Sequence, residues 1–219
     1  MNVVIFGASG MVGQGVLRQC VRDGTVERVL VVGRTSTGST EHKVEEIVLP
    51  DLTRLTSIEP ALARCDACFF CLGVSSSGMS EARYTAVTHD LTLAVARTMA
   101  RLKPGMAFCY VSGAGTDRSE RGRVMWARVK GRTENDLLAL PLRATMLRPG
   151  VIVPLHGERS KTPSYRRFYD VAGAVLRLLL PVLPKAFVTS SAQVGRAMIS
   201  VAGMGLPPPV LESRDINRM

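Results

Sequence analysis

Short apolar runs alternate with longer segments of helical period along the chain. The apolar runs are rich in Val, Ile, Leu and Phe and are bounded by polar or turn residues, which predicts buried strands. The predicted strands cover residues 3–6, 29–32, 44–49, 68–72, 107–111 and 144–147. The segments between them predict helices over residues 11–22, 52–64, 80–102 and 121–140. This alternation predicts an α/β fold, a doubly wound parallel sheet with helices on both faces.

The region after residue 153 has its own pattern and predicts a small helical extension to a core formed by residues 1–153. An apolar helix is expected at about residues 168–180. For a last helix, Ser190 or Ser191 is the predicted N-terminal cap and Gly203 with Gly205 the predicted end. The Pro-rich tail, residues 207–219, is expected to be partly mobile. Since no repeat and no long linker divides the chain, all 219 residues are assigned to a single domain.

Residues 164–185 mix basic side chains with apolar ones. This composition suits a helix of the core, a lid over an apolar pocket, or a helix that lies in a membrane interface. A minor role in membrane-surface association therefore stays open at the level of the sequence.

The formal net charge of +10 indicates attraction to an anion such as a dinucleotide phosphate, a phospholipid surface or nucleic acid. The basic residues are scattered and no aromatic RNA-binding signature accompanies them, so nucleic acid is disfavoured. A solvated basic surface is the simplest alternative. No apolar run is long enough to span a bilayer, and the N-terminus lacks the basic region of a secretory signal. We therefore expect a cytoplasmic protein.

Three of the five cysteines, Cys65, Cys68 and Cys71, have the spacing of an iron–sulfur ligand loop. However, residues 66–72 read as a buried strand, in which Cys68 would point away from Cys65 and Cys71. We interpret these thiols as small core residues and predict no metal site.

A glycine-rich loop in "NVVIFGASGMVGQGVL" directly follows the first strand and opens the first helix. Gly7 permits the tight turn, Gly10 lets backbone N–H groups approach a pyrophosphate, and Gly13 permits close helix packing. The N-terminus of the helix then faces the anion with the positive end of its dipole. This order of strand, loop and helix predicts a dinucleotide site. The predicted loop contacts are Gly7, Ala8, Ser9, Gly10, Met11, Val12 and Gly13.

The second predicted strand ends at Gly33 and Arg34, where an NAD-selective fold usually carries an acidic residue. A guanidinium suits the 2′-phosphate of NADP(H), so NADP(H) is preferred over NAD(H); an ordinary exposed arginine is the alternative. Asp51 and Leu52 follow the third strand at a position that often touches adenine, although Asp51 could serve only as a helix cap.

Four markers carry a resemblance to a known superfamily: "GASGMVG", "FFCLGVSSS", "YVSGAGTD" and "LRPGVI", each directly after a predicted strand. Residues 1–153 resemble the atypical, extended-like branch of the short-chain dehydrogenase/reductase superfamily, which includes relatives of the Tat-interacting oxidoreductase-like protein. The resemblance implies the strand order 3-2-1-4-5-6 and an NAD(P)-dependent oxidoreductase. It also implies further cofactor contacts from Cys71, Leu72, Gly73, Pro149, Gly150 and Val151.

In active members of this superfamily, a serine orients the substrate oxygen, a tyrosine exchanges the proton, and a lysine binds the nicotinamide ribose. Ser112 and Lys130 match the serine and the lysine, but Trp126 in "RVMWARVKG" stands where the tyrosine belongs. An indole N–H is a donor that does not titrate near neutral pH, so Trp126 cannot exchange a proton with a carbonyl oxygen. Lys130 has an alternative role in an ion pair with Glu134 four residues later.

The missing tyrosine leaves two functions open. In an enzyme, hydride would pass between NADP(H) and a small carbonyl or alcohol, with water or the weaker candidate His156 handling the proton. Alternatively, the protein is a non-catalytic NADP(H)-binding sensor or scaffold with an unknown regulatory partner protein. The oligomeric state stays open, although the helices at 80–102 and 121–140 occupy positions that often form dimers in the family, so a homodimer is one alternative.

Overall fold

The computed structural model describes residues 1–158 and 186–219. Seven parallel strands form its main sheet in the order β3-β2-β1-β4-β5-β6-β9. A short second sheet pairs β7 with β8 in parallel. The strands are β1 (Asn2–Phe6), β2 (Arg28–Gly33), β3 (Val44–Val48), β4 (Ala67–Phe70), β5 (Ala107–Val111), β6 (Arg143–Arg148), β7 (Val151–Val153), β8 (Val188–Ser190) and β9 (Val210–Glu212).

Helices connect the strands on both faces of the sheet. They are α1 (Met11–Arg22), a 3-10 turn (Thr56–Ile58) that leads into α2 (Glu59–Leu62), α3 (Glu81–Thr85), a π-helical turn (Ala86–Asp90) that leads into α4 (Leu91–Leu102), α5 (Met125–Leu138), α6 (Ser191–Ala202) and α7 (Ser213–Ile216). Among the described residues, no helix is long and apolar enough to cross a bilayer.

Two apolar layers cover the sheet, because successive side chains of a strand point to opposite faces. Val3 and Ile5 belong to the layer that includes α1 and α6, whereas Val4 and Phe6 belong to the layer that includes α2 and α4. Burial on both faces explains why the strands read as continuous apolar runs instead of alternating ones.

The predicted α/β fold and the strand order 3-2-1-4-5-6 are confirmed, and the six predicted strands correspond to β1–β6. Two predicted helices are shorter than expected. A turn built by Asp51 precedes the helical segment that begins at Thr56, and a loop closed by Asp117 precedes α5. In the C-terminal region, Ser190 caps α6 by accepting a hydrogen bond from the backbone N of Gln193, and α6 ends at Gly203 as expected.

The tail contains secondary structure that was not predicted. Residues Val210–Glu212 add a seventh strand beside β6, and Leu211 and Ile216 are buried in the core. A three-residue strand gives too little periodic signal to be predicted, and its partner is more than 60 residues away in sequence. The helix predicted at 168–180 and the segment 164–185 lie outside the described residues.

Helices α1 and α6 approach each other closely at Gly15 and Gly195, which have no side chains. A Cβ atom at Gly15 would lie 2.5 Å from the Cβ of Ser191 and 2.9 Å from its carbonyl carbon. A Cβ atom at Gly195 would lie 3.1 Å from the Cα of Val16. Because backbone atoms are close to both positions, a Cβ atom at either glycine could be accommodated only if the two helices moved apart.

We expect Gly15→Ala to lower the free energy of unfolding by about 1–3 kcal/mol, because the added methyl group overpacks the contact between α1 and α6. Urea denaturation of the full chain measures this change. Gly24→Ala is the matched control, since a Cβ at Gly24 would meet no described atom within 4 Å. Equal stability of the two variants would contradict this account of the packing.

Candidate functional site

The glycine loop follows β1 and turns back against the end of β4. Gly7 has φ +87°, which favours glycine. A Cβ atom there would lie 2.7 Å from the backbone N of Leu72 and 2.8 Å from the carbonyl carbon of Cys71. The Gly7 carbonyl accepts a hydrogen bond from Gly10 N at 3.0 Å. The first glycine is therefore required by the turn and by the adjacent strand.

The start of α1 fits an anionic group. A Cβ at Gly13 would overlap the carbonyl oxygen of Gly7, so the helix can approach the loop only with glycine at this position. Gly10 is the N-terminal cap and makes no side-chain cap bond to the helix, and the first turn of α1 has no acidic residue. Free N–H groups at the positive end of a helix bind phosphate. Of the other loop residues, Ala8 is buried, whereas Ser9, Met11 and Val12 are partly buried.

Arg34 is exposed directly after β2. Its guanidinium has no hydrogen-bond or ion-pair partner within residues 1–158 and 186–219, so it is available to an anion. The following loop is held in place by Glu46, which accepts hydrogen bonds from Ser36 Oγ, Thr37 N and Thr37 Oγ1. A loop anchored in this way supports the strand end that carries Arg34.

Asp51 closes a turn and does not cap a helix, so the helix-cap alternative is wrong. Its carboxylate accepts hydrogen bonds from Thr53 Oγ1 at 2.6 Å and Thr53 N at 2.9 Å, which lower the pKa of Asp51. It also lies 3.4 Å from Arg54 Nε. Leu52 is buried beneath the turn.

Two further predicted cofactor segments lie at the carboxyl ends of strands. Cys71, Leu72 and Gly73 follow β4, and Cys71 N donates to Phe6 O at 2.8 Å beside the glycine loop. Pro149, Gly150 and Val151 follow β6. Pro149 O accepts from Ala114 N at 2.9 Å, and Gly150 N donates to Ser213 Oγ at 2.8 Å. The structure thus brings the segment after β6 next to the one after β5.

Ser112 directly follows β5 and is buried, and its hydroxyl lies 3.0 Å from the hydroxyl of Thr116. Thr116 Oγ1 donates its one hydrogen to Gly113 O at 2.8 Å. Ser112 is therefore the donor to Thr116, and its own oxygen keeps free lone pairs. Thr116 was not predicted, although its four-residue spacing from Ser112 in "SGAGT" is compatible with a turn that brings two hydroxyls together.

Lys130 reaches the end of β5 from helix α5. Its Nζ donates to Ser112 O at 3.2 Å and to Val111 O at 3.4 Å, and it lies 5.3 Å from the ring centroid of Tyr110. Burial lowers the pKa of Lys130 from 10.5 to about 8, and nearby Glu134 opposes part of this shift. Ser112 and Lys130, which are 18 residues apart, are thus brought together at one strand end.

The alternative ion pair between Lys130 and Glu134 is not formed. Glu134 is fully buried and accepts two hydrogen bonds from Arg148, with Nε at 3.0 Å and Nη2 at 2.5 Å. Arg148 also contacts Glu212 Oε1 at 3.1 Å and so joins α5, β6 and β9. No carboxylate of the described ranges lies within ion-pair distance of Lys130 Nζ. This network was not predicted, because it depends on β9.

Trp126 lies partly exposed in the first turn of α5 and covers the loop after β5. Its ring would be 4.0 Å from a Cβ atom at Gly113 and 3.7 Å from one at Gly115. Beside the ring is a cavity of about 350 Å³. Its lining consists of Gly115, Asp117, Gly122, Arg123, Val124, Trp126 and Ala127. Tyr110, by contrast, is fully buried with its ring against Phe70 and belongs to the core.

His156, the histidine considered as a proton carrier, and the buried His89 differ in their surroundings. His156 is exposed, and its only hydrogen bond with the described residues is the one that its backbone N donates to Glu158 Oε2 at 2.7 Å. The structure does not bring its ring into hydrogen-bond contact with Ser112 or Lys130. His89 is buried between α4 and α5, where its ring nitrogens lie 2.7 Å from Asp90 Oδ1 and 2.7 Å from Asp136 Oδ2. His89 therefore connects two helices.

The cysteines lie in both core layers. Cys68 and Cys71 belong to different layers as predicted, but Cys65 precedes β4 and packs in the same layer as Cys68, so its predicted orientation is wrong. Burial raises the pKa of Cys65 to about 11 and that of Cys109 to about 12. No group of three or more His, Cys, Asp or Glu residues within the described part of the chain is arranged to hold a metal ion.

Comparison with known proteins identifies a family for this chain. The family model described as NAD(P)H-binding matches residues 7–166. Protein FMP52, mitochondrial, from Eremothecium gossypii is 32% identical over 162 residues, which cover 73% of this chain and 68% of that protein. Protein HTATIP2 from Rattus norvegicus is 26% identical over 155 residues, 69% of this chain and 63% of that protein.

Among solved structures, an oxidoreductase of the short chain dehydrogenase/reductase family from Burkholderia thailandensis superimposes with a TM-score of 0.70 at 17% identity. The superposition covers 98% of this chain and 92% of that one. The chain belongs to the NAD(P)H-binding family, and its fold is that of the short-chain dehydrogenase/reductase superfamily.

Proposed function

We propose that the protein is an NADP(H)-dependent oxidoreductase that acts on a small carbonyl or alcohol without the tyrosine of its superfamily. The position of Lys130 carries this proposal. Its ammonium group is held by the carbonyl oxygens of Val111 and Ser112, at the strand end that also presents the Ser112 hydroxyl. A cation, a hydroxyl and the glycine loop at one edge of a parallel sheet are what dinucleotide-dependent chemistry needs.

The cofactor would be held by groups at the carboxyl ends of four strands. The N–H groups at the start of α1 suit the pyrophosphate, and the unpaired guanidinium of Arg34 suits a 2′-phosphate. Asp51 and Leu52 border the adenine side, while the segments 71–73 and 149–151 flank the nicotinamide side. Lys130 would bind the nicotinamide ribose. When bound, the nicotinamide supplies or accepts the hydride.

Ser112 is suited to bind the reacting oxygen of the substrate. Because its hydroxyl donates to Thr116, its lone pairs are free to accept a hydrogen bond from a substrate alcohol. Rotation of the same hydroxyl away from Thr116 would let it donate to a substrate carbonyl. Thr116 would therefore act as a positioning residue that selects between these two orientations.

Proton exchange is assigned to Lys130, since Trp126 has no group that titrates near neutral pH. Burial lowers the pKa of Lys130 to about 8, so both its ammonium and its amine forms are accessible near neutrality. In reduction, the ammonium would give a proton to the substrate oxygen, and the amine would regain it from water. Water alone and His156 are the alternative proton carriers.

The test is turnover of the full chain with NADPH and a panel of small aldehydes and ketones. The reduction rate should fall as pH rises through about 8, because Lys130 must be protonated to donate. Ser112→Ala should lower the rate by roughly 100-fold or more. Lys130→Arg keeps the charge but should lower the rate strongly and show no fall near pH 8, since a guanidinium neither deprotonates there nor gives a proton to the substrate. Tight NADPH binding with no turnover across the panel would refute the enzymatic function.

The preference for NADP(H) rests on Arg34 and can be tested separately. Arg34→Gln should weaken NADPH binding about tenfold and leave NADH binding unchanged, because only NADPH carries the 2′-phosphate. Cofactor fluorescence titration measures both affinities. The control is Arg22→Gln, which removes an exposed arginine at the far end of α1. Equal losses for both cofactors would assign Arg34 a different role.

A second candidate is a non-catalytic NADP(H)-binding sensor or scaffold, and the indole of Trp126 in the tyrosine position favours it. In this case Trp126→Tyr should leave NADPH affinity unchanged and create no carbonyl reduction. Binding of a partner protein should depend on NADPH. A gain of turnover in Trp126→Tyr would instead mean that the rest of the site is competent for catalysis.

The cellular compartment and the oligomeric state of the protein are also proposals. The cytoplasm is expected from the sequence, whereas the fungal relative is named a mitochondrial protein, and cell fractionation distinguishes the two. A homodimer would use the helical segments 81–102 and 125–138, which the contacts of His89 with Asp136 and of Arg128 with Glu81 hold against each other.

A further inference from the structure

The cavity beside Trp126 offers a flat apolar surface. Val124 is 51% exposed, and Gly115 and Gly122 contribute no side chains to the wall. The indole ring lies against the loop that contains Gly113 and Gly115. The cavity volume of about 350 Å³ lies within the range that small-molecule sites occupy. An indole ring in the wall of a cavity offers a surface on which a planar group can stack.

The charged side chains around this cavity differ in whether they already bind other groups of the protein. Asp117 accepts hydrogen bonds from Ser119 Oγ at 2.6 Å, from Gly122 N at 2.7 Å and from Ser119 N at 3.0 Å. Arg128 is held by Glu81 and by the carbonyl of Gly122, each at 2.7 Å. Arg123, in contrast, is exposed at the lining and has no partner among the residues that the structure describes. Asp117 thus stays ionised, but both of its carboxylate oxygens already accept hydrogen bonds from the protein, whereas the guanidinium of Arg123 is left to bind an anion.

We infer that this cavity binds a planar, apolar small molecule that carries one anionic group, with its ring against Trp126 and its anion at Arg123. As a statement about the substrate, the inference rests on the proposed function, because Trp126 stands at the sequence position of the catalytic tyrosine, four residues before Lys130, whereas Ser112 and Lys130 are not themselves part of the cavity lining. Under that function, the inference restricts the substrate to a carbonyl compound or alcohol that has an aromatic or similarly planar ring and an acidic group.

A matched pair of probes tests the inference. 8-Anilinonaphthalene-1-sulfonate and N-phenyl-1-naphthylamine share their ring system, and only the first carries a sulfonate. Trp126 is the only tryptophan of the chain, so quenching of its emission reports binding beside this ring. We expect both probes to quench Trp126 and the sulfonate probe to bind more tightly. At about 1 M NaCl, where the screening length is ~3 Å, the two affinities should converge.

Variants of two neighbouring arginines locate the anion. Arg123→Gln should weaken the sulfonate probe about fivefold, as expected for one solvent-accessible ionic contact, and leave the neutral probe unchanged. Arg121→Gln is the control, since Arg121 is exposed on the same loop but does not line the cavity. Neither variant should change NADPH affinity, measured by the fluorescence of the cofactor itself.

Three results would overturn the inference: no quenching of Trp126 by either probe, equal effects of the two arginine variants, or equal loss of both probes in Arg123→Gln. Failure of the proposed function gives a different result. In that case NADPH would not bind, or no carbonyl would turn over, while the probes would still distinguish Arg123→Gln from the control.

Discussion

The contact between the backbones of Gly13 and Gly7 is the constraint on which the site depends. It sets α1 against the loop after β1, so that the first turn of the helix opens toward the carboxyl edge of the sheet. On its other side, α1 packs against α6 through Gly15 and Gly195. Because backbone atoms meet on both sides, α1 has almost no freedom to shift. A phosphate-binding helix terminus needs this rigidity, since its N–H groups bind only when they are aimed in advance.

The parallel arrangement then brings distant segments to one edge. Segments that follow β1, β4, β5 and β6 meet there, because every strand of the main sheet runs in the same direction. The C-terminal part completes the edge through Ser213, which binds Gly150 N, and through Glu212, which binds Arg148. Arg148 in turn donates a hydrogen bond to the carboxylate of Glu134 on α5. The last strand thus influences the electrostatics of the helix that carries Lys130.

The features that the sequence predicted are those that depend on local patterns. Strands β1–β6 are buried on both faces, and the glycine loop lies within a single strand-loop-helix unit, so neighbouring residues carry the signal. The features that were missed depend on contacts distant in sequence. β9 forms by pairing with the edge of β6. Arg148 binds Glu134, and Glu212 of β9 holds Arg148 from the other side. Cys65 was misplaced because β4 begins two residues after it.

Lys130 and Trp126 show why cofactor binding and proton transfer have to be considered separately. The carbonyl oxygens of Val111 and Ser112 hold Lys130, and these backbone groups are present whatever residue occupies position 126. The lysine position therefore does not require a tyrosine. An indole at position 126 adds no proton donor of suitable pKa, but it supplies a larger flat surface than a phenol. Binding of a dinucleotide by Lys130 and exchange of a proton with a substrate are therefore separate questions at this site, and only the second depends on the residue at position 126.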